Sequence, residues 1–489
     1  MRRIFGHRFR LTTLWLFLFL GILGGFGLAR IQAGPSAPKI VLALILVAVF
    51  LRRRGIISLI LIALFGILLG WWRGVVYLGY LSDYNLLYYQ KITVTVRANE
   101  DAIYDKYKQI SFAAGGVTLE DGRVLKGRIQ VSGFGANAIF QNDEVEVSGK
   151  LYPGYGAYQG RMSFSLLNVI SRNPSVVPEI RRKFVAGAQT ALPEPLAPFV
   201  MGLLVGQRAT LTKDVKDDLR KVGLTHIIAV SGYNLTIILQ ATTKILGKKS
   251  KRVSTFLTVG LIGVFLLLTG ASASIVRAGM VSMLSIAAAY YGRNFKPLNL
   301  ICLAAVITAW ANPVYIWSDL SWYLSFLAFF GVMVLAPLLQ ARLPGGWHKT
   351  LIGAVALESI CAEIMTLPFV LHIFGQMSRV GLVANVLVVA LIPLAMLLGL
   401  IAGLAGMMFG AVSGWLSWPA VILLNYMLDT AHILAGLPNI FVEDIGLSLW
   451  QMLFLYVIVV LLIAAMWRKS SKGNIITDMN DPKRRSLIA

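Results

Sequence analysis

The chain has 489 residues, of which 57% are hydrophobic and 14% are charged, and its mean hydropathy is +0.73. These values exclude an ordinary soluble globular domain and indicate a polytopic membrane protein. The formal net charge of +23 does not by itself indicate nucleic acid, because lysine and arginine concentrate in short loops that we expect to face the cytoplasm. The two cysteines, Cys302 and Cys361, lie in apolar runs and imply no disulfide framework.

Three apolar runs open the chain, at residues 11–29, 40–51 and 55–72. Arginines precede the first run and separate the second from the third, which predicts that both basic segments lie in the cytoplasm. The first run is compatible with a cleaved signal peptide or with a retained membrane anchor. We assign residues 1–76 to N-terminal transmembrane helices and expect the next segment to lie outside.

Residues 90–172 change character completely. Segments such as ITVTVRA, GRIQVSG and DEVEVSGKL alternate polar and apolar residues, and Gly-Gly and Asp-Gly pairs supply turns between them. Short strands at this spacing predict a small β-barrel.

The stretch from Gly202 to Leu239 predicts the wall of a hydrophilic passage. Its first apolar part is too short to span a bilayer, and the charged segment Lys213 to Lys221 has the spacing of an interfacial amphipathic helix. Apolar sequence resumes at Leu224. The polar residues inside it are His226, Ser231, Gly232 and Asn234. Polar groups at membrane depth are costly unless they face protein or water.

Further apolar runs follow. They cover roughly residues 253–270, 274–291, 297–311, 319–339, 350–374, 380–407, 411–435 and 447–466. Basic residues fall at alternate loops, which favours about twelve crossings with both termini in the cytoplasm. We therefore predict a polytopic α-helical membrane protein with a re-entrant or interfacial segment, an inserted extracytoplasmic barrel and a cytoplasmic tail at residues 468–489.

Five co-linear segments closely resemble motifs of the ComEC competence protein family, the inner-membrane channels for transforming DNA. They are GLLVGQR (202–208), HIIAVSGYN (226–234), TGASASIVRAG (269–279), DLSWYLSFLA (319–328) and TLPFVLHIFGQMSRVGLVANVL (366–387). The resemblance implies a competence channel domain at residues 179–467 and an OB-like fold for the barrel. Many family members end in a metallo-β-lactamase-like domain, which needs a dense cluster of metal ligands. With five histidines in all, we expect a short form without that domain.

The OB-like fold that the resemblance implies commonly binds single strands by stacking bases on aromatic side chains beside a basic groove. The candidate residues for single-stranded DNA are Tyr104, Lys106, Tyr107, Lys108, Arg123, Lys126, Arg128, Phe134, Tyr155, Tyr158 and Arg161. Ten lysines and arginines face eight acidic residues in this segment, so its surface is nearly balanced in charge. The alternatives are that the aromatic residues form the barrel core, and that the domain contacts the membrane or a delivery protein.

Polar residues within the five motifs are the candidates for the DNA path. They are Arg208, His226, Ser231, Gly232, Asn234, Ser272, Arg277, Asp319, Ser325, Gln376 and Asn385. Arg277 stands in an apolar run and either coordinates phosphates or locks two helices through Asp319. Asp319 is also placed to cap a helix N-terminus.

Other readings of these residues remain open. His226 and Ser231 suggest an intramembrane serine hydrolase, but five residues apart on one helix they lie on different faces. Glu358, Glu363, His372 and Gln376 share one helix and its exit without forming a tight metal-ligand set. Asp429 and His432 are expected to form a structural hydrogen-bonded pair.

The resemblance implies a channel for single-stranded DNA in the bacterial cytoplasmic membrane, with no catalytic residue, metal or cofactor. Alternatives are the intramembrane hydrolase and a transporter of another anionic polymer or lipid precursor. The expected partners are membrane lipids, an external DNA-delivery protein or pilus, a separate nuclease and a cytosolic ATP-driven motor, since no Walker-type motif occurs. A homo-oligomer is a further possibility.

Overall fold

The structure is a computed structural model and describes residues 8–31, 34–35, 37–51, 54–104, 109–136, 138–173, 176–206, 211–228, 251–268, 273–291, 296–344, 346, 350–410 and 413–472. Its α-helices are α1 (Leu11–Leu28), α2 (Ala37–Leu51), α3 (Ile56–Asn85), α4 (Val176–Ala191), α5 (Leu196–Val205), α6 (Lys213–Lys221), α7 (Lys251–Leu268), α8 (Ala273–Tyr290), α9 (Pro297–Ala311), α10 (Val314–Ser318), α11 (Leu320–Phe330), α12 (Ala336–Gln340), α13 (Leu351–Phe374), α14 (Gly381–Val388), α15 (Ile392–Phe409), α16 (Ser413–Ala435) and α17 (Leu449–Lys472). Its strands are β1 (Lys91–Ala98), β2 (Ile103–Tyr104), β3 (Ile110–Leu119), β4 (Val124–Phe134), β5 (Glu144–Pro153), β6 (Gly160–Ser171), β7 (Met377–Ser378) and β8 (Phe441–Val442).

The chain divides into two compact units. The first unit takes residues 1–178 and 298–323, and the second takes residues 179–297 and 324–489. The first unit therefore joins the N-terminal helices and the barrel to a short segment from much later in the chain.

Helices α1 and α3 form a close pair in the first unit, because glycines let their backbones approach. A Cβ added at Gly25 would collide with the carbonyl oxygen of Ile67, and one added at Gly70 would collide with that of Ile22. Small residues serve this purpose in membrane helices, where lipid gives no hydrophobic driving force between helices. The amide of Phe9 donates to the carbonyl of Arg54 over 2.8 Å, so α1 and α3 begin at the same end of the pair.

Helix α9 runs alongside α1 in the same unit. The side-chain amide of Asn299, near the start of α9, donates to the carbonyl of Thr12 over 2.7 Å. Beyond its end, the indole of Trp317 donates to the carbonyl of Phe26 over 2.9 Å. These contacts place α9 along most of α1, and whether residues 297–311 cross the membrane stays a prediction.

The strands between α3 and α4 form a closed barrel. Strands β1, β5, β6, β4 and β3 are neighbours in that order, and β1 also pairs with β3 to close the ring. Successive strands β1, β3 and β4 are antiparallel neighbours, and β5 returns to lie beside β1, which is a Greek key. This topology confirms the predicted small barrel, and it is the arrangement of an OB fold.

The barrel core is apolar and rests on α3. Inward-facing Val94, Val96, Ile129 and Met162 are at most 1% exposed, and each such side chain contributes roughly 1.5–3 kcal/mol of burial. Helix α3 has 30 residues, about 45 Å at 1.5 Å per residue, whereas the hydrocarbon layer is about 30 Å thick. Its final turns join the barrel core through Tyr84.

The second unit is helical and has two apolar clusters. The larger is built from α4 to α8 and α13 to α16, with every residue of α5 buried. Helices α4 and α15 touch at backbone distance, because a Cβ at Gly406 would overlap the carbonyl of Gly187. The smaller cluster joins α12, α13 and α17 around Cys361.

Six helical segments of the described residues are long and apolar enough to cross a membrane. They are Leu11–Ile31, Ile56–Asn85, Leu320–Gln340, Gly353–Phe374, Gly381–Phe409 and Leu449–Met466. Several other predicted spans fall on shorter apolar helices, among them Ile275–Ala288 and Pro297–Ala311. The polytopic helical class is thus confirmed, while the count of about twelve crossings, which came from loop charges, stays a prediction.

Candidate functional site

The charged segment between the first two family-like motifs forms a helix, as predicted. Helix α6 buries Leu219 and partly buries Val215 against the large cluster of the second unit, and it turns Lys213 and Arg220 outward. Gly223 follows the helix with φ of +78°, a left-handed conformation that favours glycine. Helix α6 therefore packs on protein through its few apolar residues.

Arg220 anchors α6 to the loops around β7 and β8. Its Nη2 donates to Oε1 of Gln376 over 2.6 Å and to Oε1 of Glu443 over 3.0 Å. Its guanidinium carbon also lies 5.4 Å from the centre of the Phe441 ring. Gln376, a candidate for the DNA path, is thus placed at the surface as an acceptor for Arg220.

A second charged contact fixes α6 to the last turn of α16. The Nδ1 of His432 lies 2.7 Å from Oδ2 of Asp218. This hydrogen bond and the charge of Asp218 raise the pKa of His432 above its ordinary value. The sequence expectation paired His432 with Asp429, and the structure corrects it: Asp218 from α6 is the partner that forms the hydrogen bond.

The loop after α6, which leads into the second family-like motif, meets the fifth motif, because Gly223 lies against the turn that follows α13. A Cβ added at Gly223 would lie 3.2 Å from Cβ of Ser378 and 3.5 Å from Cα of Gly381. A Cβ added at Gly381 would lie 3.8 Å from Oε1 of Glu363 on α13. We call Gly223, Glu363, Ser378, Gly381 and Asn385 the motif junction.

The motif junction contains buried polar atoms. Within the described part of the chain, neither Oγ of Ser378 nor Oδ1 of Asn385 has a hydrogen-bond partner. Asn385 follows Gly381 by four residues in α14, so both lie on one face of that helix. A buried polar group without a partner costs about 1–3 kcal/mol, and such groups require an explanation beyond stability.

A cavity of about 170 Å³ lies beside the Asp218–His432 contact. Pro195, Asp214, Leu428 and Asp429 also line it. No group of three or more His, Cys, Asp or Glu residues suited to a metal ion occurs among the described residues. The cavity is accordingly an acidic recess without a recognisable cation site.

The buried cation predicted at Arg277 lies on α8, where the side chain is 1% exposed. It is the largest fully buried side chain of the described residues. Asp319 accepts a hydrogen bond of 2.9 Å from the amide of Ser321 at the start of α11, which is helix N-capping. Ser325 is half-buried on α11.

His226 is exposed, and its Nδ1 lies 3.1 Å from the carbonyl oxygen of Gly223, three residues earlier. His372 likewise uses its Nδ1 on the backbone oxygen of Leu447, at 2.8 Å. Each contact uses one ring nitrogen of the imidazole and leaves Nε2 outside it. Some candidates lie outside the described residues, namely Lys106, Tyr107, Lys108, Arg208, Ser231, Gly232, Asn234 and Ser272.

The basic and aromatic candidates of the barrel divide into two sets. Arg161 lies over the rings of Tyr152 and Tyr155, at 5.6 and 5.8 Å, and both Arg161 and Tyr155 are exposed. Arg123 forms an exposed ion pair of 2.6 Å with Asp121. This set remains accessible to a ligand.

The other set includes residues on the side of the barrel that contacts α3. The ammonium of Lys126 lies 3.8 Å from the ring centre of Tyr80 on α3. The side chain of Gln159 accepts from the amide of Arg128 and donates to Oη of Tyr77 over 3.0 Å. Burial raises the pKa of Tyr158 to about 12. Lys126 and the backbone of Arg128 therefore lie where the barrel meets α3.

Sequence reasoning missed Ser378 and Phe164. Ser378 lies in a quoted motif, but its burial depends on contact with Gly223, more than a hundred positions away, which no local pattern reveals. Phe164 lies in a strand-like segment whose spacing gives an aromatic residue a place in the core. The structure instead leaves it 68% exposed.

Comparisons with known proteins identify the family of the chain. A model of the competence protein family matches residues 203–469, which include residues 298–323 of the first unit. The chain is 24% identical over 302 residues to ComE operon protein 3 of Bacillus subtilis (strain 168). That match takes in 61% of this chain and 38% of the length of the relative. No solved structure matches the chain.

Proposed function

The chain belongs to the competence protein family, and on that premise we propose that it conducts single-stranded DNA through the bacterial cytoplasmic membrane. The barrel would receive the strand outside the membrane, and the helical units would provide the path. Both termini would then lie in the cytoplasm. The predicted family membership itself is confirmed by the matched model.

The observation that carries the proposal is the pair of buried polar atoms at the motif junction. Ser378 Oγ and Asn385 Oδ1 lack hydrogen-bond partners among the described residues, and both belong to segments that match the family. A fold that retains such atoms forgoes stability. Polar groups with unused hydrogen-bonding capacity are what a hydrated or anionic substrate needs when it enters a membrane domain.

A DNA strand carries a negative charge on every phosphate, so each phosphate that leaves water needs a replacement for its hydration. In this proposal the hydroxyl of Ser378 donates to phosphate, and Oδ1 of Asn385 accepts from water that hydrates the strand. The buried guanidinium of Arg277 on α8 supplies a permanent positive charge in the same unit, and arginine suits phosphate because its planar donors bind two oxygens at once.

Conduction alone does not move a polymer in one direction. A cytosolic ATP-driven motor would pull the strand, a separate nuclease would produce it, and an external delivery protein or pilus would present it. The chain's own residues guide and hydrate the strand.

The test is uptake in a naturally transformable host that lacks its own channel and carries this gene. Labelled DNA is followed into a nuclease-protected cytoplasmic pool. Asn385→Leu keeps the side-chain volume and removes the polar atoms, so uptake is expected to fall roughly 5-fold or more for a lost interaction of about 1–3 kcal/mol.

The matched control is Thr366→Val, because the Thr366 hydroxyl donates to the carbonyl of Ala362 within its own helix. This variant should take up DNA normally. Normal uptake by Asn385→Leu at equal membrane abundance would contradict the proposed role of the motif junction. Absence of uptake from well-inserted wild-type protein, with the host's delivery proteins present, would contradict DNA conduction itself.

A further inference from the structure

Beyond the basic candidates, the barrel carries exposed aromatic rings at the opposite end of β4. Phe134 is 47% exposed and Phe164 is 68% exposed, and their ring centres are 6.5 Å apart. Leu166, the partner of Phe134 in the parallel β4–β6 pairing, is also exposed. Soluble surfaces rarely expose contiguous large apolar side chains without a binding role.

The backbone conformation at Phe164 directs its ring outward. Phe164 has φ of +57°, a left-handed conformation that is costly for a bulky residue. It lies where β6 holds one residue more than β4 between paired positions, since Val131 pairs with Met162 and Gly133 with Ser165. The strand is thus bulged at Phe164, and bulges commonly re-aim side chains near functional sites.

A buried side chain fixes this bulge. The amide of Phe164 donates to Oε1 of Gln109 over 3.0 Å, and Gln109 is itself 1% exposed. The outward position of the ring therefore follows from a satisfied internal contact. The conformational cost is retained at a residue whose side chain contributes little to the core.

Strand register adds a third ring at the same level of the barrel. Tyr104 pairs with Ile110, Ile110 pairs with Gly133, and Gly133 pairs with Ser165. Tyr104 is exposed as well. Strand β3 separates Tyr104 on β2 from Phe134 on β4, and the three exposed rings lie at the opposite end of β4 from Lys126, which contacts α3.

We propose that Phe134 and Phe164 form a base-stacking platform for single-stranded DNA, distinct from the Arg161 and Tyr155 pair. This inference rests on the proposed function, because DNA is the ligand that the family match favours. Flat aromatic rings stack on any base, so the platform is sequence-tolerant. It would hold the strand by its bases outside the membrane, leaving the phosphates to the helical units.

The test measures the binding of a fluorescent 20-nucleotide oligothymidine to the full-length protein in nanodiscs by anisotropy. Phe134→Ala with Phe164→Ala is expected to weaken binding at least roughly 5-fold, and Phe164→Trp should preserve it. An abasic strand of the same length and charge should bind both proteins equally. Ile170→Ala, an exposed apolar site further along β6, is the matched control and should bind like wild type.

Phe164→Gly separates binding from folding. Glycine adopts the left-handed conformation without strain, so this variant should melt at the same temperature as wild type or higher, while it binds oligothymidine as weakly as Phe164→Ala. Unchanged oligothymidine binding by the double variant would overturn the platform and leave DNA conduction standing. A changed oligomeric state with unchanged DNA binding would identify a contact between copies instead, and wild-type protein that binds no single strand would contradict both proposals.

Discussion

The barrel and the motif junction break opposite halves of one rule, that apolar side chains are buried and polar atoms are solvated or hydrogen-bonded. The barrel exposes the apolar rings of Phe134 and Phe164, whereas the junction buries the polar atoms of Ser378 and Asn385 without partners among the described residues. Each departure lowers stability, because apolar surface favours burial and polar atoms favour hydrogen bonds. Under the proposed function, the two regions would contact different parts of one strand, with the bases held by the barrel and the phosphates by the junction.

The largest expected effect is at Arg277, whose charge no other group of α8 replaces. Arg277→Leu should reduce DNA uptake by about a hundredfold or more, because loss of a buried charge contact costs roughly 3–5 kcal/mol. The uptake assay measures this at matched membrane abundance. Arg277→Lys keeps the charge but loses the planar guanidinium, so it should retain intermediate uptake. Full uptake by Arg277→Leu would show that Arg277 does not lie on the DNA path.

A second variant replaces a buried polar side chain of the motif junction with an apolar one. Asn385→Leu should raise the free energy of unfolding by about 1–2 kcal/mol, since it removes a buried polar atom that lacks a partner. The same variant should lower uptake. Thermal unfolding of the purified protein gives the first quantity, and a lower melting temperature would mean that Asn385 has a stabilising partner in the native membrane.

The surface anchors of α6 should matter less. Arg220→Ala removes the contacts to Gln376 and Glu443. The side chains of Arg220 and Glu443 are exposed, and exposed ion pairs contribute about 0.2–1 kcal/mol. We expect faster hydrogen exchange confined to residues 213–221, with uptake reduced less than twofold. Lys213→Ala serves as the control, and exchange that accelerates equally in both variants would remove any special role for Arg220.

The smallest expected effect is a pH dependence of the same helix. Asp218 raises the pKa of His432, so the folded state favours the protonated imidazole. The contact therefore contributes fully below the ordinary pKa of about 6.5 and is lost as the pH rises through the raised value. Exchange of the α6 amides, corrected for intrinsic rates, should be slower at acidic than at alkaline pH, and His432→Ala should abolish this difference.

Local sequence patterns predicted much of the fold. Alternation in ITVTVRA and neighbouring segments identified the barrel, and continuous apolar runs identified the membrane helices, because both depend on periodicities of adjacent residues. The charged segment at 213–221 was correctly predicted as a helix. Its cause is again local, since apolar Val215 and Leu219 are four residues apart on one face.

The sequence predicted the candidate site only in part. The quoted motifs located Gln376 and Asn385, but the opposite environments of these two residues depend on Arg220 and on the packing of α14. The pairing of His432 was wrong because a distant helix supplies a better placed carboxylate. Phe164 escaped notice because a bulge reverses the inward direction that strand alternation predicts.

The most direct test asks whether a moving strand passes the motif junction. A photoreactive phenylalanine analogue is placed at position 385, and uptake is stalled by a bulky protein bound to the trailing end of labelled DNA. Ile458 on α17, which is exposed among apolar neighbours, is the control position. The account predicts a DNA crosslink at 385 that requires the stalled strand, and none at 458. A strand that stalls during uptake without crosslinking at 385 would contradict it.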